Sequence, residues 1–294
     1  MNYINSNDIN EIHIEVSSCC RLKCLHCSSH SMIIENKKYY NLEDLENFLK
    51  VFKSSKCHLY ITGGEPLLSP QIFDIISKCK SYGFKVGLFT TFNTGDDIEQ
   101  LLSHLNKVGL DDFYVSLYDC CADLHDKITQ IKGSFSNSLK AITQAKSFNI
   151  SPKINFVLLK SNILRLDDIL NSLDLLKTDE IRILKLVKHG NAMSNWETIG
   201  IETPLQYQTI QTVLSKKFDT PITVSGFPTI RNCRPFESKW ACGANKTLLY
   251  IDNKGDIYPC ASQKNQATRK IGTIFDPLHI IQLASHSACF SDQF

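Results

Sequence analysis

The sequence predicts an α/β protein with a parallel sheet, and three observations support this fold class. Strand-like and helix-like segments alternate over the first two thirds of the chain. The chain has 294 residues, 43% of them hydrophobic, which is enough for a buried core in one large or two modest domains. The last third changes to short β segments, turn sequences and cysteines. We therefore expect two domains, covering residues 1–200 and 201–294.

Apolar runs and helical periodicity give the order of elements in the first domain. Six strands are predicted at Ile12–Val16, His58–Thr62, Lys85–Thr91, Phe113–Leu117, Lys153–Leu159 and Ile181–Val187. Five helices are predicted between them at Leu42–Phe52, Pro70–Ser81, Asp97–Val108, Ser138–Phe148 and Leu166–Leu176. Right-handed crossovers would join these strands into one parallel sheet. Six units are fewer than the eight of a closed barrel, so the periodicity leaves a partial barrel and a doubly wound sheet both open.

The pattern of elements changes after Val187. Lys188–Ala192 reads as a loop and Pro204–Lys216 as a further helix. Two apolar runs, Leu248–Ile251 and Asp256–Pro259, flank the turn sequence Asp-Asn-Lys-Gly and predict a β-hairpin. A hairpin returns its two ends to one place, so cysteines that bracket it can come together.

The composition excludes several classes of partner and environment. With 32 basic and 30 acidic residues, the chain has no charge excess that would favour nucleic acid or a membrane surface. We find no apolar run long enough to span a bilayer and no signal peptide. Twelve cysteines without a secretion signal favour metal binding over disulfides in a reducing cytoplasm. We expect a cytoplasmic protein.

The most informative motif is a set of three cysteines, Cys20, Cys24 and Cys27, spaced CxxxCxxC directly after the first predicted strand. Thiolates are the normal ligands of iron–sulfur clusters, and three of them around four irons leave one iron open to a small molecule. A zinc site and buried structural thiols are the alternatives.

The segment CRLKCLHC after a first strand resembles the cluster loop of the radical S-adenosylmethionine (radical SAM) enzymes. The resemblance implies a [4Fe–4S] cluster on Cys20, Cys24 and Cys27, with SAM bound to the fourth iron. It also implies that an electron from the cluster cleaves SAM to a 5′-deoxyadenosyl radical, which takes a hydrogen atom from the substrate. For the fold, it implies an open (β/α)6 partial barrel related to the TIM barrel.

A second motif, Gly63-Gly64-Glu65-Pro66, ends the second predicted strand. Glycines there allow close approach of the backbone to a ligand, and a carboxylate can accept hydrogen bonds from an ammonium group. A plain turn is the alternative. The motif resembles the GGEP of the radical SAM enzymes, which implies that Gly63, Gly64 and Glu65 meet the amino group of SAM.

The same resemblance implies roles for further residues from their positions in the sequence. His26 would lie near the adenine, although a loop histidine can also be merely solvated. Thr91 ends the third strand, and Ser116 lies in the stretch VSLYD, which resembles the SLDG of the family. Asn155 and Leu184 lie on late strands whose ends would touch SAM, unless they are ordinary core residues. Cys120 and Cys121 follow the fourth strand, where one of them could donate a hydrogen atom.

The cysteines of the last third resemble the start of a SPASM or twitch domain, which carries auxiliary iron–sulfur clusters. The resemblance implies one auxiliary cluster, expected to be [4Fe–4S], with Cys233, Cys242 and Cys260 as ligands and Cys289 as the fourth. Without Cys289, an auxiliary iron would be open to substrate. A structural zinc at these thiols is the alternative.

These features together predict a radical SAM enzyme that modifies a ribosomally synthesised precursor peptide by oxidative carbon–carbon or thioether cross-linking. Peptide epimerisation, oxidation of a small molecule and a zinc-bound interaction protein remain the alternatives. The first strand begins near residue 12, so we expect a separate leader-binding protein, or recognition by the barrel and hairpin, rather than an N-terminal leader-binding domain. A flavodoxin or ferredoxin would supply the electron.

Overall fold

A computed structural model describes residues 3–29, 31, 42–52, 56–227, 244, 246–264 and 266–280. Its strands form a single ten-stranded sheet in the order β10-β9-β8-β1-β2-β3-β4-β5-β6-β7. The strands are β1 Glu11–Ser17, β2 His58–Gly63, β3 Lys85–Thr90, β4 Asp112–Ser116, β5 Ser151–Val157, β6 Glu180–Leu184, β7 Ile222–Ser225, β8 Leu248–Ile251, β9 Asp256–Tyr258 and β10 Gly272–Thr273.

The pairing of the strands decides between the two topologies that the sequence left open. Neighbours from β1 to β7 all pair in parallel, in the order in which they occur in the chain. A doubly wound sheet would reverse its strand order at a switch point, and no reversal occurs between β1 and β7. The α/β class and the six predicted strands are therefore confirmed, and the topology is consistent with a TIM-like partial barrel.

The helices lie between the strands as crossover connections. They are α1 Leu42–Phe52, α2 Ile72–Ser81, α3 Ile98–Lys107, α4 Ala122–Thr129, α5 Ser134–Ala145, α6 Leu166–Asp174, α7 Asn191–Ser194, α8 Trp196–Ile199 and α9 Thr203–Leu214. Each long crossover helix buries residues three or four positions apart, as Leu45, Phe48, Leu49 and Phe52 do in α1. These faces join the outward residues of the strands, such as Ile12 and Ile61, in one apolar core.

The inward face of the strands is polar and aromatic, and it fills the middle of the barrel. His13, Tyr60 and Phe89 lie edge to face or stacked, with ring centroids 4.8 to 5.7 Å apart. The guanidinium of Arg182 lies 4.3 Å from the ring centroid of Tyr114 and completes this layer. Arg182 borders two cavities, one of about 410 Å³ at the amino ends of the strands and one at their carboxyl ends. The layer therefore separates the two ends of the barrel.

The C-terminal strands extend this sheet from both sides. β7 pairs with β6, whereas β8 pairs in parallel with β1 and begins the predicted hairpin with β9. The hairpin is thus confirmed, and its strands share one sheet with those of the first domain. The boundary near residue 200 stays a prediction. No helix in the described ranges is long and apolar enough to cross a membrane.

Candidate active site

The carboxyl ends of the strands surround a cavity of about 380 Å³, at the end where parallel barrels bind their ligands. Its wall is built from the loop after β1, the ends of β2 to β7 and the segment after β9. Most of the predicted site residues line it: Cys20, Cys24, His26, Cys27, Gly63, Gly64, Thr91, Ser116, Asn155 and Leu184. Residues from six separate parts of the chain are therefore brought to one place.

The three thiols of the cluster loop share one environment. Burial, together with the nearby charges of Glu65 and Cys27, raises the pKa of Cys20 to about 12. Burial also raises the pKa of Cys24, with Cys27 and Cys20 adding to the effect. Such thiols stay protonated until a cation binds, because a coordinated thiol loses its proton. Cys20 and Cys24, together with the neighbouring thiol of Cys27, form a donor set for an iron–sulfur cluster.

The type of donor also suits a cluster. Thiolates are the usual ligands of [4Fe–4S] clusters, in which each cysteine binds a different iron. Cys20, Cys24 and Cys27 come from one short loop and line one cavity, so the donors present fit this group.

The glycine motif is packed against the base of the cluster loop. The N–H of Gly64 donates to the carbonyl of Ser17 over 2.7 Å, and the N–H of Glu65 donates to that of Cys19 over 2.6 Å. A Cβ on Gly64 would lie 2.3 Å from the Cys19 oxygen, so no larger residue fits there. The glycines thus allow the end of β2 to touch the cluster loop.

Glu65 is buried, and it does not line the cavity. Its Oε1 accepts hydrogen bonds from Thr90 Oγ1 and the Leu67 N–H, and its Oε2 accepts from the N–H and Oγ1 of Thr91. Burial raises the pKa of Glu65, although these four donors oppose the rise. The carboxylate therefore fixes the end of β3, where Thr91 reaches the cavity. Its contact with the amino group of SAM stays a prediction.

Two residues on neighbouring strands form the polar part of the cavity wall. Ser116 and Asn155 are register partners on β4 and β5. The Oδ1 atom of Asn155 is buried and has no hydrogen-bond partner among the described residues. Such an acceptor costs free energy unless a ligand or water donates to it, so it marks a contact point for a hydroxyl or amino group.

His26 is the first of three neighbouring rings beside the cluster loop. Its ring centroid lies 4.4 Å from that of Tyr118, which in turn stacks on His125 at 5.3 Å. The Nδ1 of His125 accepts the N–H of Tyr118, so its proton resides on Nε2. Burial lowers the pKa of His26 and of His125 to about 4, so both rings are neutral at pH 7. Tyr118 also lines the cavity. It comes two residues after Ser116, and side chains two positions apart in an extended chain point to the same side. This spacing was the sequence signal for Tyr118 that was missed.

Cys120 and Cys121 lie elsewhere. Neither lines the cavity: Cys120 packs against the apolar core, and Cys121 is exposed at the start of α4. The chain turns away from the barrel axis there, because Asp119 Oδ1 accepts the N–H of Cys121. The structure therefore does not bring these two thiols to the candidate active site.

The predicted auxiliary site is described in part. Cys260 is half-buried beside Ala261 and Ser262, which line the cavity. Cys233, Cys242 and Cys289 lie outside the described residues, so the auxiliary cluster and the twitch-like domain stay predictions.

A buried ion pair joins this C-terminal segment to the cluster loop. Lys264 Nζ lies 3.0 Å from Glu15 Oε2 on β1 and donates to Ser29 Oγ over 2.8 Å. The hydroxyl of Tyr250 donates to the same Glu15 oxygen over 2.8 Å. Both charged side chains are 4% exposed. No local sequence signal could have paired Lys264 with Glu15 across 249 positions.

The fold and the site together define a class of protein: a partial parallel barrel whose first strand leads into a three-cysteine cluster loop, braced by a glycine-rich strand end. The model of the Radical SAM superfamily matches residues 14–176, more than half of the chain. The chain belongs to the Radical SAM superfamily, and membership implies a [4Fe–4S] cluster and SAM as cofactors.

Several similar proteins share one name. A GTP 3′,8-cyclase of Helicobacter pylori (strain HPAG1) is 27% identical over 263 residues, covering 86% of this chain and 80% of the relative. A GTP 3′,8-cyclase of Clostridium botulinum (strain Hall) is 27% identical over 281 residues, covering 89% and 84%. A probable GTP 3′,8-cyclase of Sulfurisphaera tokodaii is 26% identical over 253 residues, covering 84% and 80%.

Solved structures share the fold. Streptococcus suis SuiB bound to S-adenosylmethionine superposes with a TM-score of 0.72 at 18% identity, covering 92% of this chain and 64% of SuiB. This chain thus spans less than two thirds of the SuiB chain. The structure of anSMEcpe with bound AdoMet superposes with a TM-score of 0.63 at 17% identity, covering 90% and 78%. At these identities the likeness concerns the fold alone.

The prediction of precursor-peptide modification is wrong. The curated relatives over most of this chain are named for cyclisation of a nucleotide, which is a small molecule. The prediction failed because cysteine spacing specifies a metal centre, whereas the substrate is selected by cavity residues that the spacing does not describe.

Proposed function

We propose that this protein is a radical SAM enzyme that acts on a purine nucleotide of the GTP type and closes a bond between positions 3′ and 8 within it. The observation that carries this proposal is the shared name of relatives that align over 84 to 89% of the chain. Because those relatives are 26 to 27% identical, the nucleotide specificity is the part that experiment must test.

The charge of the cavity supports an anionic substrate. The described lining residues include Arg182 and Lys185 but no aspartate or glutamate. Arg182 donates to Tyr114 and pairs with Glu180 at 3.2 Å below the cavity floor, so a buried partner holds its guanidinium in place. A cavity without carboxylates does not repel phosphate groups.

The remaining lining suits a base and a sugar. Phe89, Tyr118 and Tyr250 line the cavity, and aromatic rings are common partners of a purine base. Ser116 and the unpaired Oδ1 of Asn155 can hydrogen-bond ribose or base edges. Leu186 and Val187 after β6 add apolar side chains to the wall.

Each part of the site then has a role. When bound, the cluster and SAM supply the 5′-deoxyadenosyl radical that takes a hydrogen atom from the substrate. Cys20, Cys24 and Cys27 would hold the cluster, and Gly63 and Gly64 would let SAM approach the strand end closely. The protein contributes position and the exclusion of water rather than the radical chemistry itself.

The test uses anaerobically reconstituted protein with SAM and a chemical reductant. We expect 5′-deoxyadenosine formation to rise on addition of GTP, and rise less with ATP. With GTP deuterated at C3′, deuterium should appear in 5′-deoxyadenosine, because bond formation at that carbon requires loss of its hydrogen. Protein that cleaves SAM but neither consumes GTP nor transfers deuterium would contradict the proposal.

A further inference from the structure

The segment that follows β6 grips the backbone of the cluster loop. This clamp segment comprises residues 189–195, of which residues 189–192 fall in the predicted loop Lys188–Ala192. Its donors reach carbonyl oxygens on both sides of His26. The contacts are Asn191 N–H to Cys27 O at 2.8 Å, Asn191 Nδ2 to Cys24 O at 3.1 Å, Asn195 Nδ2 to Leu25 O at 3.2 Å and His189 Nδ1 to Ser28 O at 3.0 Å.

Gly190 makes this approach possible. Its φ of +59° lies in the region that favours glycine. A Cβ at this position would lie 2.4 Å from the Cys27 oxygen and 2.6 Å from the Ser28 oxygen. The clamp segment therefore lies in direct backbone contact with the loop.

The same two segments also share apolar packing. Ala192, Ile199 and Trp196 lie in a small core with Cys20, Leu22 and Cys24 that is separate from the main core of the barrel. α7 and α8 have four residues each, so their internal hydrogen bonds are few, and much of their order comes from the loop.

On its other side the cluster loop is held by α4. The N–H groups of Lys23 and Leu25 donate to the carbonyls of Thr129 and Ile128, each over 3.0 Å. The clamp segment supplies donors to the carbonyls of the loop, and α4 supplies acceptors to its N–H groups. Because each peptide unit is rigid, these contacts fix the peptide planes between Cys24 and Cys27. The directions in which Cys24 and Cys27 present their thiols are fixed with them.

We infer that Asn191 and Asn195 are positioning residues for the iron–sulfur cluster. Their side chains act on the loop between Cys24 and Cys27 through the carbonyls of Cys24 and Leu25, as outer partners orient metal ligands elsewhere. The amide of Asn195 also donates to the Asn191 carbonyl over 2.9 Å, so the two residues act as one unit. The inference depends on superfamily membership and not on the nucleotide substrate.

The test is cluster retention in the Asn191→Leu and Asn195→Leu variants, reconstituted anaerobically without substrate. Leucine keeps the size of asparagine and removes the donor. We expect iron to pass to a chelator about 10 to 100 times faster than from the wild type, the usual cost of losing an outer partner. We also expect altered electron paramagnetic resonance (EPR) g-values of the reduced cluster, with and without SAM. The control is Met193→Ala in the same helix, whose side chain is 58% exposed.

The two readouts separate positioning from simple stabilisation. A merely structural role would lower the unfolding temperature of the iron-free protein but leave the g-values unchanged. Iron loss at the wild-type rate with unchanged g-values would overturn the inference. If a leucine variant does not fold, the same comparison can be made with other variants. Asn191→Asp and Asn195→Asp also remove the side-chain donor, and Gly190→Ala pushes the loop away. None of these measurements uses GTP, so a failed nucleotide assay leaves them valid.

Discussion

At the scale of single residues, Glu65 illustrates how one side chain can serve a site that it does not line. Its carboxylate collects four hydrogen bonds from Leu67, Thr90 and Thr91 in a fully buried position. The motif predicts a glutamate beside a ligand. The structure shows in addition that this glutamate holds the end of β3 in place. Glu65 follows β2, and three of its four donors belong to Thr90 and Thr91 at the end of β3, so one residue couples two parts of the cavity wall.

We predict that Glu65→Gln lowers both stability and SAM affinity. The NH2 group of glutamine cannot accept hydrogen bonds, so some of the donors that now reach the carboxylate would be left buried and unpaired. The free energy of unfolding should fall by about 1–3 kcal/mol, as measured by denaturant titration, and Kd for SAM should rise. The matched control is Glu46→Gln on the outer face of α1, where the carboxylate accepts from Tyr82 and faces solvent. Equal effects of the two substitutions would contradict this role.

His125 makes a prediction about pH. Burial lowers its pKa to about 4, while in the unfolded chain it titrates near 6.5. Between these values the unfolded state binds the proton and the folded state does not, so stability falls as the pH drops through this window. From pH 7 to pH 5, this histidine should cost about 2 kcal/mol of unfolding free energy.

The measurement is urea unfolding of the wild type and of His125→Phe at pH 7 and pH 5. The variant should lose less stability on acidification, even if it is less stable at pH 7. His104→Phe, at an exposed position on α3, is the control histidine. An unchanged pH dependence in His125→Phe would show that this ring does not titrate in the stated window.

At the scale of elements, the strands and helices were the parts most readily predicted from sequence. α1 has the bounds that its periodicity predicts, and the strands agree within a few residues, because apolar faces and burial coincide there. α4 was missed, since its buried positions, His125, Ile128 and Thr129, are mostly polar. The first part of the clamp segment, up to residue 192, was predicted as a loop. Its contacts are to distant carbonyls, such as that of Cys24, 167 positions from Asn191, which no local pattern reports.

The junction of β2 and the cluster loop gives a prediction at this scale. Gly64→Ala would place a methyl group 2.3 Å from the Cys19 carbonyl oxygen, so the loop must move. We expect loss of most iron on reconstitution, measured by iron content and absorbance. Gly272→Ala, where the nearest atom would lie 3.3 Å from the new Cβ, is the control and should retain its iron. Full iron loading of Gly64→Ala would mean that this contact does not shape the site.

At the scale of the whole molecule, the site is assembled from both ends of the chain. β8 pairs with β1, and the Lys264–Glu15 ion pair fastens the segment after Cys260 to the strand that precedes the cluster loop. Sequence reasoning found the cysteines at both ends and could not find the connection between them. The cavity wall formed by Ala261 and Ser262 depends on that connection.

We predict that Lys264→Met destabilises the protein by about 3–5 kcal/mol, since it leaves Glu15 charged and buried without its cation. Lys270→Met, which breaks an exposed pair with Asp256 in the same segment, should cost at most about 1 kcal/mol. Thermal and denaturant unfolding of the iron-free proteins measure both. If the two variants unfold alike, the buried pair does not fasten the C-terminal segment.

We expect Cys20, Cys24 and Cys27 to hold a cluster that reductively cleaves SAM. The most direct measurement is the yield of 5′-deoxyadenosine from anaerobically reconstituted protein given SAM and reductant, compared with Cys24→Ala. The wild type should form 5′-deoxyadenosine, and the variant should form none above background. Wild-type protein that binds iron yet yields no 5′-deoxyadenosine, or a Cys24→Ala variant that yields as much, would contradict the claim.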